Sequence, residues 1–415
     1  MIPDALNILV GRGFSHVIAP LHRSALAPEV PHSQPAHKLL NSQATIGSCE
    51  NTSRMKTNLS PAQLKTFHKR LLRWFRAHKR GLPWRASRDP YRIWVAEVML
   101  QQTRIAAVMP YYDRFLKDLP DVESLAGAPI TEVLKLWSGL GYYSRARNLH
   151  RAAKEIVAHH QGKFPPTLDE ALELPGIGTY TAAAVLSIAY DVPLGVLDGN
   201  VARVLARFRA IRGDLRAPRR WRELANTAQD SLARDSPGDW NQALMELGEV
   251  ICTPQIPRCK ICPVSKWCRA YKLGLTQKIP APRVKRATEH IKIAAAILRD
   301  PRGRTILVKD PGAHDHVLFS RMWQFPAIQV THHPQTELQA HVRTTLGIDS
   351  IALQELPAAR HSVTFRKITL LPFLARVKKL PKFPRTRILS LENLSQVPIS
   401  NATRKIAASL GKVST

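Results

Sequence analysis

The sequence predicts a chain of at least two domains, one all-α and one of mixed α and β structure. From about residue 60 to 250, apolar residues recur at helical spacing in segments such as YRIWVAEVMLQQTRIAAVMPYYDRFL and ITEVLKLWSGL. After residue 288 the pattern changes to runs rich in β-branched residues, namely HIKIAAAILRD, RTILVK and SVTFRKITLLPFLARV, with one helical segment, TELQAHVRTTLG, between them. A length of 415 residues is sufficient for two or three domains with cores of their own.

Changes in composition divide the chain into five predicted parts. The first part has scattered Pro, Ser and His without sustained periodicity, so we expect a disordered extension or an upstream segment before a true start at Met55. No apolar h-region is present there, which argues against a targeting peptide. A segment rich in Pro and basic residues, TQKIPAPRVKRATEH, is predicted to link the two domains. The parts are the extension 1–54, the helical domain 55–275, the linker 276–288, the α+β domain 289–405 and a tail 406–415.

The chain carries a large excess of positive charge. It contains 61 Lys and Arg against 31 Asp and Glu, which gives a net charge of +30 at pH 7. Such a surface attracts polyanions, so nucleic acid is the first candidate partner. The alternative is that the charge only keeps the protein soluble. No apolar run approaches the roughly 18 residues that a membrane helix needs, so no membrane association is expected.

Four of the five cysteines crowd into one short segment with the pattern C-x6-C-x2-C-x5-C. Four thiolates this close can surround one metal centre, either zinc or a [4Fe–4S] cluster. Zinc sites more often pair two C-x2-C units, and only one is present, so the spacing favours a cluster in a structural role. This use of cysteine also favours a reducing compartment, and we expect the bacterial cytoplasm, at the nucleoid. The predicted ligands are Cys252, Cys259, Cys262 and Cys268, and Cys49 stands apart.

The segment LPGIGTYTAAAVL places a Gly-x-Gly turn, Gly176 and Gly178, between two helical segments. No strand precedes it, and it lacks the third glycine of a dinucleotide fingerprint and the lysine of a P-loop. The backbone N–H groups of such a turn are suited to binding a phosphate of the DNA backbone. The alternative is a plain corner between two helices.

Two carboxylates are candidates for acid–base chemistry. Glu97 lies in the middle of an apolar helical segment, where burial would raise its pKa and suit it to be a general acid. Alternatively, Glu97 is a structural residue whose buried carboxyl is hydrogen-bonded to a backbone or side-chain partner. Asp198 precedes a helix in VLDGNVARVLARF, where it or Asn200 is also a standard N-cap. On that helix we expect the arginines at 203 and 207 to face phosphate or solvent.

Taken together, several motifs resemble one known family. They are LPWR, DPYRIWVAEVMLQQT, WSGLGYYSRARNLH, GKFP, LPGIGTYTAAAVLSIAY, LDGNVARVLAR, NQALMELGEVICT and the four-cysteine loop. In this order they resemble the MutY adenine DNA glycosylases of the helix-hairpin-helix superfamily, from about residue 60 to 270 and more weakly to about 405. The resemblance implies a helix-hairpin-helix glycosylase domain with an iron–sulfur cluster loop, followed by a Nudix-like α+β domain.

The resemblance also implies an activity. Such enzymes act in base excision repair, as monomers on double-stranded DNA, and hydrolyse the N-glycosidic bond of a flipped adenine mispaired with 8-oxoguanine or guanine. Glu97 matches the general acid that protonates the adenine, and Asp198 matches the carboxylate that stabilises the sugar cation. Asn200 matches a residue that helps to orient that carboxylate. One acid held neutral and one held ionised is the arrangement that this chemistry requires.

The same comparison implies contacts with DNA. A flipped adenine leaves a gap in the duplex, which polar amides and an aromatic ring can fill. The implied DNA or base contacts are Arg85, Gln101, Gln102, Tyr142, Gly176, Gly178 and Thr364.

Tyr180 departs from the related endonuclease III pattern, in which the matching residue is a lysine that forms a Schiff base and cuts the strand. A tyrosine hydroxyl cannot form an imine, so we expect a monofunctional enzyme in which Tyr180 supports catalysis. The alternatives are a bifunctional endonuclease III-type lyase and a non-catalytic DNA-binding protein with a structural metal.

The second domain resembles the Nudix-like domain of the same family, most clearly in MWQFPAIQ. Its helix carries Glu337 alone, so metal-dependent diphosphate hydrolysis is not expected. The implied role is recognition of 8-oxoguanine by a loop that usually reads Phe-Ser-His. Here Val363, Thr364 and Phe365 stand in those places, so Thr364 replaces the serine as donor and Phe365 cannot replace the histidine.

Overall fold

The structure is a computed structural model that describes residues 59–281, 287–309, 322–363 and 365–412. The predicted extension 1–54 and the predicted base contact Thr364 lie outside these residues. Within them, the two predicted classes of structure follow each other along the chain: helices as far as Lys272, then a sheet with two helices. The predicted fold class is therefore confirmed.

The first domain consists of α-helices and short 3₁₀ turns. Its first helix begins after Ser60, where the Ser60 hydroxyl accepts from the backbone N–H of Gln63 while the Gln63 side chain accepts from the backbone N–H of Ser60. The helices are α1 Pro61–His78, α2 Pro90–Leu100, α3 Ile105–Asp118, α4 Val122–Gly127, α5 Ile130–Leu136, α6 Tyr143–His159, α7 Leu168–Glu173, α8 Thr179–Tyr190, α9 Gly199–Arg209, α10 Pro218–Asp230, α11 Pro237–Val250 and α12 Arg269–Lys272.

Two apolar cores hold these helices together. One core is formed by residues of α2 to α8, and the other by residues of α1 and α9 to α12. Helix α8 packs against both α2 and α11, and α11 packs in turn against α9. The middle of α2 and the beginning of α9 therefore come together around α8, although about 100 residues separate them in the chain.

The second domain is one mixed sheet of eight strands with a helix on each face. Its order is β3-β2-β1-β7-β5, with β4 beside β1, β6 beside β7 and β8 beside β2. The long strands β1 and β7 pair in parallel along their whole length, and side chains of β1 alternate between two cores. The strands are β1 Glu289–Arg299, β2 Arg304–Lys309, β3 Trp323–Gln324, β4 Ala327–Val330, β5 Gln354–Glu355, β6 Ala359–Val363, β7 Arg366–Arg376 and β8 Thr386–Ser390, and the helices are α13 Pro334–Leu346 and α14 Asn401–Ala408.

The second domain contacts the first through the residues that begin α14. The carbonyl of Ile399 accepts hydrogen bonds from Ser138 Oγ over 3.1 Å and from the Tyr143 hydroxyl over 3.0 Å. Arg404 Nη2 donates to Ser138 Oγ over 2.8 Å, and Asn401 Nδ2 donates to the carbonyl of Gly139 over 2.9 Å. The sheet domain is thus bonded to the loop that leads into α6. In the described part of the chain, every helix is too short or too polar to cross a membrane.

Candidate functional site

Glu97 lies in the buried middle of α2. Its neighbours on both sides along this helix are also buried, and Glu97 itself is only 6% exposed. The Tyr180 hydroxyl at the start of α8 donates a hydrogen bond to Glu97 Oε2 over 2.8 Å, and lies 3.5 Å from the sulfur of Met245. Burial raises the pKa of Glu97 to about 7; the Tyr180 hydrogen bond opposes this rise and the charge of Asp198 adds to it. The carboxyl is therefore protonated in a large fraction of molecules near neutral pH.

Asp198 is the N-cap of α9, as one of the two sequence interpretations predicts. Its Oδ1 accepts from the backbone N–H of Val201 over 2.7 Å, and its side chain is half-buried. Burial raises the pKa of Asp198 above its ordinary value, and hydrogen bonds from the backbone N–H groups of Val201 and Asn200 reduce this rise. These donors and the helix N-terminus favour the ionised form. Two neighbouring carboxyls thus have different environments, one with a single hydroxyl donor and one with backbone amides.

The side chain of Asn200 forms its hydrogen bonds with residues other than Asp198. Its Nδ2 donates to Glu249 over 3.4 Å, and its Oδ1 accepts from Arg203 Nη2 over 2.9 Å. Asn200 acts on Asp198 through its backbone N–H.

The expectation that Arg203 and Arg207 face phosphate or solvent is wrong. Arg207 is 1% exposed and Arg203 is also buried, because the cysteine loop (residues 252–268) covers this face of α9. A loop leaves carbonyl groups without secondary-structure partners, and the five N–H donors of a guanidinium can satisfy several of them. Arg203 donates to the carbonyls of Cys252 and Gly248, and Arg207 donates to those of Ile279, Cys252, Thr253 and Pro254.

The four cysteines of this loop are the residues that would hold a metal centre. Among the described residues, no three Cys, His, Asp or Glu side chains already stand in position to hold a metal ion. The thiols are nevertheless neighbours: burial raises the pKa of Cys262 to about 12, and the other three cysteines contribute to the rise. Arg207 Nη1 also donates a hydrogen bond to Cys252 Sγ over 3.3 Å. A set of four soft sulfur donors around one loop fits an iron–sulfur cluster.

The predicted base contacts Gln102 and Tyr142 share an unusual backbone conformation. Their φ angles are 59° and 49°, in the left-handed region that residues other than glycine rarely adopt, and Tyr142 is 42% exposed. Such backbones cost about 1–3 kcal/mol and persist where surrounding contacts hold them, often at binding sites. Gln101 lies beside them, with its Nε2 3.3 Å from Thr181 Oγ1. We refer to residues 137–142 as the wedge loop.

A buried arginine that the sequence analysis did not single out holds these residues together. The guanidinium of Arg145 lies 5.3 Å from the ring of Tyr142, and burial lowers the pKa of Arg145 to about 10. Its only signal in the sequence is its place three residues after Tyr142, one turn into α6. Its hydrogen bonds link the end of α2 to the wedge loop, with acceptors on Val98, Met99, Gln101, Thr103 and Gly141.

Arg85 lies inside the protein beside the carboxyl site. Its Nη2 donates to Glu246 Oε2 over 2.9 Å, and Arg80 forms a second ion pair with the same carboxylate, which is 1% exposed. The positive charge of Arg85 also acts on Glu97, whose pKa it lowers. The guanidinium predicted to contact DNA is therefore already paired in this structure.

The two glycines of the hairpin between α7 and α8 differ in what they require. Gly176 has a φ of +80°, and a Cβ there would lie 2.5 Å from the Cβ of Asn148, so backbone and space both demand glycine. At Gly178, the N-cap of α8, a Cβ would meet nothing within 4 Å. The bare surface at Gly178 therefore leaves room for a partner from outside.

The family of this chain is shown by its similarity in sequence to known proteins. Residues 95–228 match the model of the HhH-GPD superfamily of base excision DNA repair proteins. Adenine DNA glycosylase of Mus musculus is 34% identical over 89% of this chain and 85% of its own length. That of Schizosaccharomyces pombe is 42% identical over 51% of this chain and 50% of its own. A solved thermostable thymine-DNA glycosylase is 30% identical, with a TM-score of 0.47 over 51% of this chain and 97% of that one. The chain belongs to the adenine DNA glycosylase family.

Proposed function

We propose that this enzyme removes adenine mispaired with 8-oxoguanine or guanine from duplex DNA, by hydrolysing the N-glycosidic bond of a flipped adenine. Membership of the family supports the adenine specificity. The observation that carries the mechanism is the pairing of two different carboxyls. Glu97 is buried, and its pKa is about 7, in part because of the nearby charge of Asp198. Asp198 instead accepts a hydrogen bond from the backbone N–H of Val201. An acid that holds its proton and a carboxylate that does not are the two groups the reaction needs.

The first step that we propose is protonation of the adenine by Glu97. The Tyr180 hydroxyl donates to Glu97 Oε2, so Oε1 is left to carry the acidic proton. Transfer of that proton to N7 makes adenine a better leaving group, and the bond between N9 and the sugar C1′ breaks with both electrons going to the base. Glu97 is left ionised, and burial makes that state costly enough to favour recovery of a proton.

The second step is stabilisation and capture of the sugar cation. The carboxylate of Asp198 is the negative charge available to the positive charge that develops at C1′. Water then adds to C1′ and loses a proton, which leaves an abasic site. Tyr180 carries no amine that could attack C1′, so the reaction stops there without strand cleavage.

The residues around this pair are proposed to hold the DNA. Tyr142, Gln101 and Gln102 fill the gap left by the flipped adenine, and the turn at Gly178 contacts a backbone phosphate. Residues 363–365 are proposed to recognise 8-oxoguanine, and the enzyme to act as a monomer.

We also propose that Cys252, Cys259, Cys262 and Cys268 hold a [4Fe–4S] cluster with a structural role. When bound, the cluster fixes the fold of the loop and supplies no step of base removal. Arg203 and Arg207 connect the loop to α9, the helix that Asp198 caps. Order in the loop thereby supports the position of this carboxylate.

A glycosylase assay on three duplexes tests the proposal. We expect adenine release from 8-oxoG:A and G:A duplexes and none from T:A. Glu97→Gln should abolish release while it retains most of the affinity for DNA, since the amide keeps the shape of the side chain but has no acidic proton. Release by this variant at the wild-type rate would refute the role of Glu97. Efficient strand cleavage with a borohydride-trapped adduct would favour a lyase instead.

A further inference from the structure

An open basic cleft lies between β6 and the beginning of α14, away from the carboxyl site. It has a volume of about 470 Å³. Except for the half-buried His361, its side chains are exposed. It is lined by Arg360, His361, Ser362, Asn401, Arg404 and Lys405.

The charge of this cleft is positive throughout. Its lining contains two arginines and a lysine, a hydroxyl and an amide that can both donate hydrogen bonds, and no carboxylate. In the described part of this domain the ion pairs lie elsewhere, at Arg304–Asp300, Arg343–Asp349 and Arg366–Glu289. Three cations therefore converge on one cleft without a salt bridge to a described carboxylate, an arrangement that attracts an anion.

Hydrogen bonds between the two walls shape the cleft in advance. Lys405 Nζ on α14 donates to the carbonyl of Arg360 on β6 over 2.7 Å. The hydroxyl of Ser400 accepts from the amide of Thr403 and caps α14, which fixes the direction of that helix. Binding of an anion would then require little rearrangement of the backbone.

The position of the cleft relates it to the DNA site. Two of its lining residues, Asn401 and Arg404, donate to Gly139 and Ser138 of the wedge loop. Its other wall, β6, ends at Val363, where the segment proposed to recognise 8-oxoguanine begins. The cleft thus lies between the parts of the two domains that are proposed to meet the mispair.

We infer that this cleft binds a backbone phosphate of the DNA strand that carries 8-oxoguanine, close to the lesion. The inference rests on the proposed action on mispaired duplex DNA and adds a contact to it. A nucleotide is a poorer fit, because no aliphatic or large aromatic residue lines the cleft to pack against a base. A phosphodiester needs only cations and hydrogen-bond donors, and both are present.

The test neutralises the cleft and the phosphate separately. Arg360→Gln/Lys405→Gln removes two charges from the cleft. Lys378→Gln/Lys379→Gln is the matched control. These two exposed lysines follow the C-terminal end of β7, whereas β6 pairs with its N-terminal end. Binding to an 8-oxoG:A duplex is measured against salt concentration in the Glu97→Gln background, which prevents turnover. We expect the cleft variant to bind more weakly and the slope of log K against log salt to fall by about 1 per lost contact, with no change in the control.

A scan of methylphosphonates along the 8-oxoguanine strand then locates the contact. Replacing the contacted phosphate should weaken binding of the protein with an intact cleft and have little effect on the cleft variant. Identical scans for both proteins, or equal salt slopes for the cleft and control variants, would overturn the inference and point to another partner for the cleft.

Two further measurements separate this inference from the proposed function and from misfolding. Adenine release at saturating enzyme, measured with Glu97 intact, should stay within about twofold of wild type in the cleft variant, since the carboxyl pair is untouched. If the wild-type protein releases no adenine, the proposed function fails while the phosphate scan still decides the inference. Arg360→Lys/Lys405→Arg keeps the charges, and it should restore the salt slope; failure to restore it would argue against a phosphate contact.

Discussion

The hydroxyl of Tyr180 donates a hydrogen bond to Glu97 Oε2 over 2.8 Å, across 83 residues of sequence. Burial and the nearby charge of Glu97 both raise the pKa of Tyr180 well above its ordinary value, so the phenol stays protonated and remains a donor. The resemblance implies an amine at this position in endonuclease III, whereas this chain has a phenol that hydrogen-bonds to the candidate acid. The contact also holds the pKa of Glu97 below the value that burial alone would give it.

The pH dependence of base release should reflect this contact. Proton donation requires protonated Glu97, so the single-turnover rate should decline as pH rises through about 7, roughly tenfold per unit beyond it. Tyr180→Phe removes a donor to the ionised carboxylate, which raises the pKa of Glu97 and moves this alkaline limb to higher pH by up to about one unit. Rates measured from pH 5 to 9 check both statements. An unchanged alkaline limb in Tyr180→Phe would show that the hydrogen bond does not tune the acid.

The burial of Glu97 should also cost stability at neutral pH. Its ordinary pKa is 4.5 and its folded value about 7, so the folded state holds the proton more tightly. The contribution of Glu97 to the free energy of unfolding is therefore largest below pH 4.5. It falls by about 3 kcal/mol as the pH rises to about 7. Glu97→Gln removes this loss, so its stability relative to wild type should grow from pH 5 to 7 and then level off. Thermal unfolding at several pH values measures this difference, and a constant difference across that range would contradict it.

Local patterns were sufficient to predict the fold class. Helical periodicity from about residue 60 to 250 and β-branched runs after 288 correspond to the observed helices α1 to α11 and to β1, β2 and β7. The two-residue strands β3 and β5 were not predicted, because so short a segment has no period to detect and depends on its partner strand. The candidate acid and the N-cap were recognisable from their neighbours in sequence.

Local sequence patterns could not predict the contacts between distant segments. Arg203 and Arg207 have the spacing of a surface pair, and only the fold reveals that the cysteine loop covers them. The bond from Tyr180 to Glu97 likewise depends on α8 packing against α2. The sequence identifies candidate residues, and the packing of the helices decides which of them meet.

The two hairpin glycines should respond differently to substitution. Gly176→Ala places a Cβ at a φ of +80° and 2.5 Å from the Cβ of Asn148, so we expect a loss of about 1–3 kcal/mol in stability. Gly178→Val places its Cβ where nothing lies within 4 Å, so we expect a smaller loss of at most about 1 kcal/mol, because valine is a poorer N-cap than glycine. Affinity for the mispaired duplex should nevertheless fall in Gly178→Val, because the side chain stands where the DNA backbone is proposed to approach. Denaturant unfolding and duplex binding, measured on both variants, check this; unimpaired binding by Gly178→Val would remove the turn from the DNA interface.

Arg145 should be a positioning residue for base flipping. Arg145→Lys keeps the charge but loses the planar set of donors that joins the end of α2 to the wedge loop. We expect the single-turnover rate at saturating enzyme to fall at least about tenfold, because Glu97 and Tyr142 lose their common support. Arg151→Lys on the exposed face of the same helix is the control and should leave the rate unchanged. A duplex with 2-aminopurine in place of adenine reports flipping by fluorescence, and normal flipping by Arg145→Lys would indicate a purely structural role.

Arg207 should determine whether the cysteine loop retains the proposed cluster. Arg207→Gln leaves the carbonyls of Ile279, Thr253 and Pro254 without their donor, which should cost about 1–3 kcal/mol and loosen the loop. Iron content and the brown colour of the purified protein should then fall faster in air than in wild type. Arg209→Gln, on the same helix but bonded to Thr227, is the control and should retain its iron. Because Asp198 caps α9, loss of iron from Arg207→Gln should be followed by loss of base release. Base release that persists after the iron is lost would show that the loop does not support the carboxylate.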